Sequence, residues 1–159
     1  MVTALFPGTF DPVTNGHVDI VRRASTLFYH LVIAVYDNSL KTLMFSTEKR
    51  VSMFREAVTG MERVEVKSYT GLTVNFARII GAKVVLRGLR IGADFEYERE
   101  MALVNRTIGP DVEDAYLIAS LENQFISSSR VKEIHALGGD VSQFVPTHVE
   151  LQLKIQKDR

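Results

Sequence analysis

The residues best suited to chemistry lie near the start of the chain, where Thr9 and His17 share residues 4–17 with two glycines and two prolines. Such a composition indicates a tightly specified loop, because proline fixes its backbone and glycine allows unusual turns. Thr14 and Asn15 are helix-capping residue types, so His17 is predicted in the first turn of a helix that opens at about Gly16. The free N–H groups and positive dipole of a helix N-terminus attract anions. The stretch therefore suggests phosphate chemistry.

The elements that must position this stretch alternate between strands and helices. Apolar and β-branched runs predict strands at residues 2–6, 31–36, 63–69, 84–86 and 115–119. Apolar spacing and capping residues predict helices at residues 16–28, 47–59, 72–80, 94–107 (capped by Asp94), 127–137 and 146–157. We expect the continuous apolar strand 31–36 to be covered on both faces and the alternating strand 63–69 to lie near an edge. The predicted fold class is α/β: a single-domain, Rossmann-like, doubly wound five-stranded parallel sheet over residues 1–159, with helices on both faces.

Ligands of such sheets bind beyond the carboxyl ends of the strands. The loops that follow the five predicted strands are rich in glycine, hydroxyl and basic side chains, whereas the opposite connections are plainer. These loops contain residues 8–17, Lys41, residues 69–73, residues 87–90 and residues 123–129. We therefore expect one ligand-binding edge.

Composition excludes several classes of protein. The 159 residues contain 19 basic and 19 acidic side chains, so no overall field recruits nucleic acid or an anionic membrane. Without cysteine there is no disulfide or thiolate metal site, which fits a reducing compartment. No apolar run approaches the roughly 18 residues of a membrane span, and no export signal is visible. We expect a soluble, cytoplasmic protein.

Familiar motifs of other nucleotide and hydrolytic enzymes are absent. The chain lacks G-x-G-x-x-G, G-x-x-x-x-G-K-[ST] and G-x-S-x-G, which disfavours a redox dinucleotide domain, a P-loop hydrolase and an α/β-hydrolase. No His and carboxylate spacing is convincing for a metal, so no metal-ligating residue is predicted. Neutral hydroxyls, one histidine and cationic residues remain, which suit the binding of phosphates.

Four blocks in this sequence resemble a known family. Residues 7–12 with Thr14-Asn-Gly-His17 resemble the signature of the nucleotidylyltransferase superfamily, with threonine first in its [H/T]-x-G-H motif. Residues 87–90, 94–98 and 125–129 are similar to blocks of the bacterial phosphopantetheine adenylyltransferases, and the similarity runs from about residue 3 to residue 150. Four blocks in order, at matching spacing, make the resemblance specific.

The resemblance implies transfer of the adenylyl group of ATP to 4′-phosphopantetheine, with Mg²⁺, giving dephospho-coenzyme A and pyrophosphate. It implies that His17 stabilises the transition state and that Thr9, Lys41, Thr73 and Arg87 bind the acceptor. It implies ATP contacts from Thr9, Phe10, His17, Gly88, Leu89, Arg90, Glu98, Asn123, Gln124, Phe125, Ile126, Ser127, Ser128 and Ser129. It also implies a homohexamer.

Two other functions remain open. The chain could transfer a nucleotide to another phosphorylated acceptor, such as nicotinate mononucleotide or glycerol phosphate, although the block at residues 125–129 disfavours this. It could also be a non-catalytic adenine-nucleotide sensor. A sensor need not retain Thr9, His17, Lys41 and Arg87 together, so the intact set favours an enzyme.

Overall fold

The computed structural model describes residues 1–37, 42–90 and 92–157. These residues form five strands: β1 (Thr3–Gly8), β2 (His30–Tyr36), β3 (Val64–Tyr69), β4 (Val84–Leu89) and β5 (Glu113–Ile118). They also form six α-helices: α1 (Asn15–Leu27), α2 (Thr47–Ala57), α3 (Thr73–Ile79), α4 (Gly92–Ile108), α5 (Ser128–Ala136) and α6 (Thr147–Lys157). A short 3₁₀ turn covers Leu121–Asn123.

The strands make one parallel sheet in the order β3-β2-β1-β4-β5. The predicted fold class is confirmed, and β3 lies at an edge as expected. The chain runs outward from β1 through β2 to β3, crosses the sheet, and continues through β4 to β5. The carboxyl ends of the neighbouring strands β1 and β4 therefore form the switch point at which such sheets bind ligands.

Alternating side chains of the central strands enter two separate hydrophobic cores. Phe6 and Ile33 join the larger core, which includes buried residues of α1, α2, α5 and α6. Leu5 and Val32 face the opposite way, into a smaller core that includes Ala77 of α3. This two-sided burial explains the continuous apolar runs of β1 and β2, because a strand between two layers has no polar face.

Most predicted boundaries agree with the structure to within two residues, and two differences concern the site. Strand β4 continues to Leu89, three residues beyond the predicted end at Leu86, so Arg87 lies in the sheet rather than in a loop. Helix α4 begins at Gly92, so the prediction that Asp94 precedes the first turn is wrong. Asp94 nevertheless accepts a hydrogen bond from the backbone N–H of Arg90 at 3.1 Å.

Within the described ranges, no helix combines the length and the apolar character that crossing a membrane requires.

Candidate active site

A cavity of about 280 Å³ opens at the switch point, between the carboxyl ends of β1 and β4. The residues predicted to act there that line it are Thr9, Phe10, His17, Arg87, Gly88, Arg90, Glu98, Asn123, Ile126, Ser127, Ser128 and Ser129. A second cavity, of about 320 Å³, shares Thr9, Phe10, Ser128 and Ser129 with the first and is also lined by Asp11 and Lys132. The structure thus gathers loops from distant parts of the sequence around two adjoining cavities.

His17 is fixed by a capping box at the N-terminus of α1. Its backbone N–H donates to Thr14 Oγ1 at 3.3 Å, and the Thr14 N–H donates to His17 Nδ1 at 3.0 Å. A nitrogen that accepts from an N–H carries no proton, so the neutral ring holds its hydrogen on Nε2. Nδ1 makes both ring hydrogen bonds found among the described residues. Nε2 has no hydrogen-bond partner among these residues, and none of their buried side-chain nitrogens lacks one, so Nε2 is not buried. Because His17 lines the cavity, we infer that its Nε2–H is open toward it.

The environment of His17 keeps the imidazole neutral. Burial, with the nearby positive charge of Arg90, lowers the pKa of His17 from 6.5 to about 4. At neutral pH the ring is therefore a hydrogen-bond donor without a charge, held at the positive end of a helix. Such a group can donate to a phosphate oxygen but is poorly suited to shuttle protons at pH 7.

Phe10 forms the wall behind His17. Its ring packs edge-on against the rings of His17 and Phe54, with centroids 5.0 and 4.7 Å apart. Its φ angle is +51°, a left-handed conformation that is rare for an aromatic residue. A Cβ added at Gly8 would lie 2.6 Å from the Phe10 ring, so only glycine leaves room for it. The glycine and the strained residue together define the loop that was predicted from the sequence.

Arg87 and Arg90, on opposite sides of Gly88, each bind a carboxylate of α4. Arg87 Nε donates to Glu98 at 2.7 Å, and its Nη1 donates to the Pro7 carbonyl at 3.0 Å. Burial lowers the pKa of Arg87, but the hydrogen bond and charge of Glu98 outweigh it, and the net pKa is raised. Arg90 makes the corresponding pair with Asp94, where its Nε donates at 2.9 Å. Both cations face the cavity with their orientation already set.

Gly88 allows α1 to pack closely over β4. A Cβ at this position would lie 3.2 Å from Cγ1 of Ile20, so α1 sits close over β4. Gly16 allows a similar approach to Asn123 of the 3₁₀ turn, at 3.4 Å. These contacts bring the first helical turn, the end of β4 and the 123–129 segment together.

The 123–129 segment is tied down at its far end by two serines. Ser127 caps α5 by accepting from the Arg130 N–H at 3.1 Å, as predicted for this run. Ser128 Oγ donates to the carbonyl of Pro12 at 2.8 Å. The Ser128 hydroxyl therefore faces the loop that carries Thr9.

Some predicted site residues do not line the cavity. Gln124 donates to the Ala119 carbonyl at 3.1 Å, and Phe125 is 58% exposed with its ring packed edge-on against Phe144. Leu89 is the last residue of β4. Thr73 bonds to the Tyr69 hydroxyl at 3.0 Å, at the start of α3. The contacts predicted for these residues stay predictions, and Lys41 lies outside the described residues.

Two buried charged residues beside the cavities were not predicted as site residues, although Asp11 lies within the block at residues 7–12. Asp11 is 2% exposed and accepts from Lys132 Nζ at 2.8 Å. Arg50 is 1% exposed and reaches the Thr9 carbonyl from α2. For Arg50 the sequence offers one signal, its place on the helix face that also carries Val51 and Phe54. That pattern by itself indicates no function.

The described ranges contain no group of three or more histidine, aspartate or glutamate side chains placed to hold a metal ion. Asp94 and Glu98, which flank the cavity, are already paired with arginines. The described residues therefore offer no ready cage for a divalent cation.

Comparisons with known proteins identify the family of this chain. The family model of cytidylyltransferase-like proteins matches residues 5–134. A curated phosphopantetheine adenylyltransferase of Roseiflexus sp. (strain RS-1) is 48% identical over 154 residues, which are 97% of this chain and 96% of that protein. A protein of the same name from Gloeobacter violaceus is 48% identical over 151 residues, 95% of this chain and 94% of the relative.

A solved structure, that of the lipopolysaccharide core biosynthesis protein from Thermoplasma volcanium GSS1, resembles the fold. It has a TM-score of 0.53 and 17% identity, covering 76% of this chain and 97% of that one. At that identity the likeness concerns the fold alone. On the residues matched and on the near-complete alignment to its relatives, the chain belongs to the cytidylyltransferase-like family and, within it, to the phosphopantetheine adenylyltransferases.

Proposed function

We propose that this protein transfers the adenylyl group of ATP to 4′-phosphopantetheine, which gives dephospho-coenzyme A and pyrophosphate. The observation that carries the proposal is the His17 ring. Its Nδ1 is held by the Thr14 N–H, and its Nε2–H opens into a cavity flanked by Arg87 and Arg90. The relatives aligned over nearly the whole chain bear the name of this activity.

The reaction exchanges one phosphorus–oxygen bond for another. A phosphate oxygen of 4′-phosphopantetheine attacks the α-phosphorus of ATP, the bond from that phosphorus to the bridging oxygen breaks, and the electron pair leaves with pyrophosphate. No protein atom becomes covalently attached and no proton transfer to the protein is needed. The work of the site is to align two polyanions and to stabilise the charge that develops between them.

His17 supplies a neutral donor for that charge. Because its pKa is lowered to about 4 before the substrates bind, the ring is neutral at pH 7 and has no second proton to give to the leaving group. It donates a hydrogen bond through Nε2–H instead. In this proposal it binds a phosphate oxygen of ATP more strongly in the transition state than in the ground state.

Roles for the other residues extend the family resemblance. Thr9, Lys41, Thr73 and Arg87 bind the acceptor, and the remaining predicted residues bind ATP. The position of Thr9 supports its part in both, since it lines both adjoining cavities.

The charge of each arginine is partly balanced before the substrates bind. Arg87 is paired with Glu98, and Arg90 is paired with Asp94, both in α4. Incoming phosphates therefore meet donors that are held in place but whose charge is shared. This arrangement limits the cost of bringing cations together before the substrates bind.

Mg²⁺ is part of the proposal as an ion that travels with ATP. Mg²⁺ commonly keeps several waters and binds substrate phosphates with few protein carboxylates. The absence of an acidic cluster in the described ranges is compatible with that mode. When bound, the ion withdraws negative charge from the triphosphate, and we assign it no protein ligand.

We also propose a cytoplasmic homohexamer, as the family resemblance implies. The lack of cysteine suits a reducing compartment such as the cytoplasm. Exposed apolar side chains on α4, including Leu103, Val104 and Ile108, suit contact with further copies of the chain. Native mass spectrometry of the purified protein tests the stoichiometry directly, and a monomer would contradict it.

Pyrophosphate release tests the central proposal. The purified protein is incubated with Mg²⁺-ATP and, separately, 4′-phosphopantetheine, nicotinate mononucleotide and glycerol phosphate. Turnover with 4′-phosphopantetheine alone supports the proposal, and mass spectrometry should identify dephospho-coenzyme A. Turnover only with another acceptor would replace the substrate assignment, and tight ATP binding without turnover on any acceptor would favour a sensor.

A further inference from the structure

Arg50 of α2 is a buried cation that bonds to three separate parts of the chain. Its side chain is among the largest that are fully buried, at 1% exposure. Nη1 donates to the Thr9 carbonyl at 2.7 Å and to the Tyr36 carbonyl at 2.9 Å. Nε donates to the Phe45 carbonyl at 3.1 Å, and Nη2 donates to Thr47 Oγ1 at 2.8 Å. One guanidinium thus joins the loop after β1, the end of β2 and the start of α2.

Asp11 completes this connection from the other side. Its carboxylate accepts from the N–H groups of Met44 and Phe45, both at 2.9 Å, and from Lys132 Nζ at 2.8 Å. Phe45 is therefore held at its N–H by Asp11 and at its carbonyl by Arg50. Both contacts fasten the segment before α2 to the loop that lines the two cavities.

The bond to the Thr9 carbonyl fixes a particular peptide plane. The Thr9–Phe10 peptide is trans, and its C=O and N–H point in opposite directions. With the carbonyl held toward Arg50, the Phe10 N–H is turned away from α2. Among the described residues no group accepts a hydrogen bond from this N–H. Both residues of the peptide line the two cavities.

A cation on the carbonyl also polarises the peptide, because hydrogen bonds in series strengthen one another. The N–H of Phe10 becomes a better donor for an anion. The same bond helps to retain the left-handed φ of +51° at Phe10, a conformation that persists only where its surroundings enforce it.

Arg50 carries a desolvation cost, because burial lowers its pKa against the raising effect of the Asp11 and Asp37 charges. An apolar residue would avoid that cost but would leave the carbonyls of Thr9, Tyr36 and Phe45 without this donor. The reason for arginine here is therefore the set of backbone groups that it holds, of which the Thr9 carbonyl belongs to the site.

We propose that Arg50 is a positioning residue, which sets the Thr9–Phe10 peptide so that its N–H and the Thr9 side chain meet substrate phosphate. Arg50 itself touches no substrate and acts through the loop. The inference rests on the proposed function in one respect only, namely that the anion bound there is a substrate phosphate.

The test compares two arginines of the same helix. Arg55 also lies in α2 and donates to a strand carbonyl, that of Val66 at 3.1 Å, but Val66, unlike Thr9, lines neither of these cavities. We would measure kcat, KM for each substrate and Tm for Arg50→Lys, Arg50→Met, Arg55→Lys and Arg55→Met, at a temperature where all soluble variants are folded.

Lysine keeps the charge but cannot reproduce the planar fork of arginine. We expect kcat/KM of Arg50→Lys for 4′-phosphopantetheine to fall about 10- to 100-fold, the effect of displacing a positioned group by about 1 Å. The Arg55→Lys value should stay within about 3-fold of wild type, since its carbonyl partner lies outside the site. If Arg50→Met does not fold, the two lysine variants still decide the question.

A lower Tm for Arg50→Lys with kcat and both KM values unchanged would show a purely structural role and overturn the proposal. Equal losses of kcat/KM in the two lysine variants would overturn it as well. If the wild type turns over only another acceptor, the proposed function fails and the same comparison is made with that acceptor. If it turns over none, ATP affinity by calorimetry replaces kcat/KM, and equal affinities of the two lysine variants would overturn the role of Arg50.

Discussion

Replacing His17 with glutamine, glutamate and alanine separates the two roles that the structure gives to its ring. Nδ1 accepts the Thr14 N–H and completes the capping box, while Nε2–H faces the cavity. Glutamine and glutamate are the usual residues at this position of a capping box, so both can accept the Thr14 N–H. Only glutamine retains an N–H donor, and alanine retains neither group.

Stability and activity should therefore follow different orders. Thr14 is 1% exposed, so in His17→Ala its buried N–H loses its partner, at a cost of about 1–3 kcal/mol. His17→Gln and His17→Glu should lose less than the alanine variant. Removing one donor that stabilises developing charge lowers kcat by about 10²–10³. We expect that loss in His17→Ala, at least as large a loss in His17→Glu, and a smaller one in His17→Gln.

The measurements are free energies of unfolding from urea titration and kcat from pyrophosphate release, each corrected for the folded fraction. His17→Glu is the decisive variant, because it should remain stable and be nearly inactive. If its kcat matched that of His17→Gln, donation from Nε2–H would not matter for the reaction. If kcat in the three variants simply followed stability, His17 would act only as a cap.

Three further results are expected. Because the pKa of His17 is lowered to about 4, the unfolded chain binds a proton near pH 6.5 that the native chain does not, so the free energy of unfolding should fall as the pH drops from 6.5 to about 4. Urea titrations should show a smaller fall in His17→Gln. An equal fall in the two proteins would place the cause elsewhere. Glu98→Ala leaves Arg87 anchored only by the Pro7 carbonyl and should raise KM for 4′-phosphopantetheine about 10-fold. Glu98→Gln keeps an acceptor and should change this KM less than about 3-fold. Equal KM values in the two variants would refute an orienting role for Glu98. Gly8→Ala places a Cβ 2.6 Å from the Phe10 ring and should lower the free energy of unfolding by about 1–3 kcal/mol, which a Tm shift in calorimetry would report; an unchanged Tm would mean that the ring relaxes freely.

Local signals predicted most of the fold and, within the site, the placement of His17 and Ser127 at helix starts. Apolar runs marked β1 and β2 because those strands are buried on both faces. The capping preference of threonine placed His17 in the first turn of α1, and the structure shows Thr14 as the N-cap residue. Ser127 was predictable for the same reason, since a hydroxyl before a helix has one dominant use.

The remaining parts depend on pairings between distant residues, which no local pattern contains. Arg50 lies 41 positions from Thr9, and Lys132 lies 121 positions from Asp11. In the sequence neither cation shows which acceptor it will bind. Strand β4 was predicted too short for a related reason: Arg87 is polar, yet its Glu98 partner allows it to stay in the sheet. A polar residue can stay in the sheet when a partner of opposite charge lies beside it.

These pairings divide the cations of the site by task. Arg87 and Arg90 face the cavity and share their charge with carboxylates of α4, so an arriving phosphate can draw on donors whose orientation is already set. Arg50 does not line the cavity and donates to backbone carbonyls. His17 contributes no charge at neutral pH, because burial and Arg90 keep its ring unprotonated. A fully charged pocket would bind the ground-state phosphates strongly and gain little in the transition state. Partly neutralised cations and a neutral donor instead leave room for interactions that strengthen as charge develops, which is the property that adenylyl transfer requires.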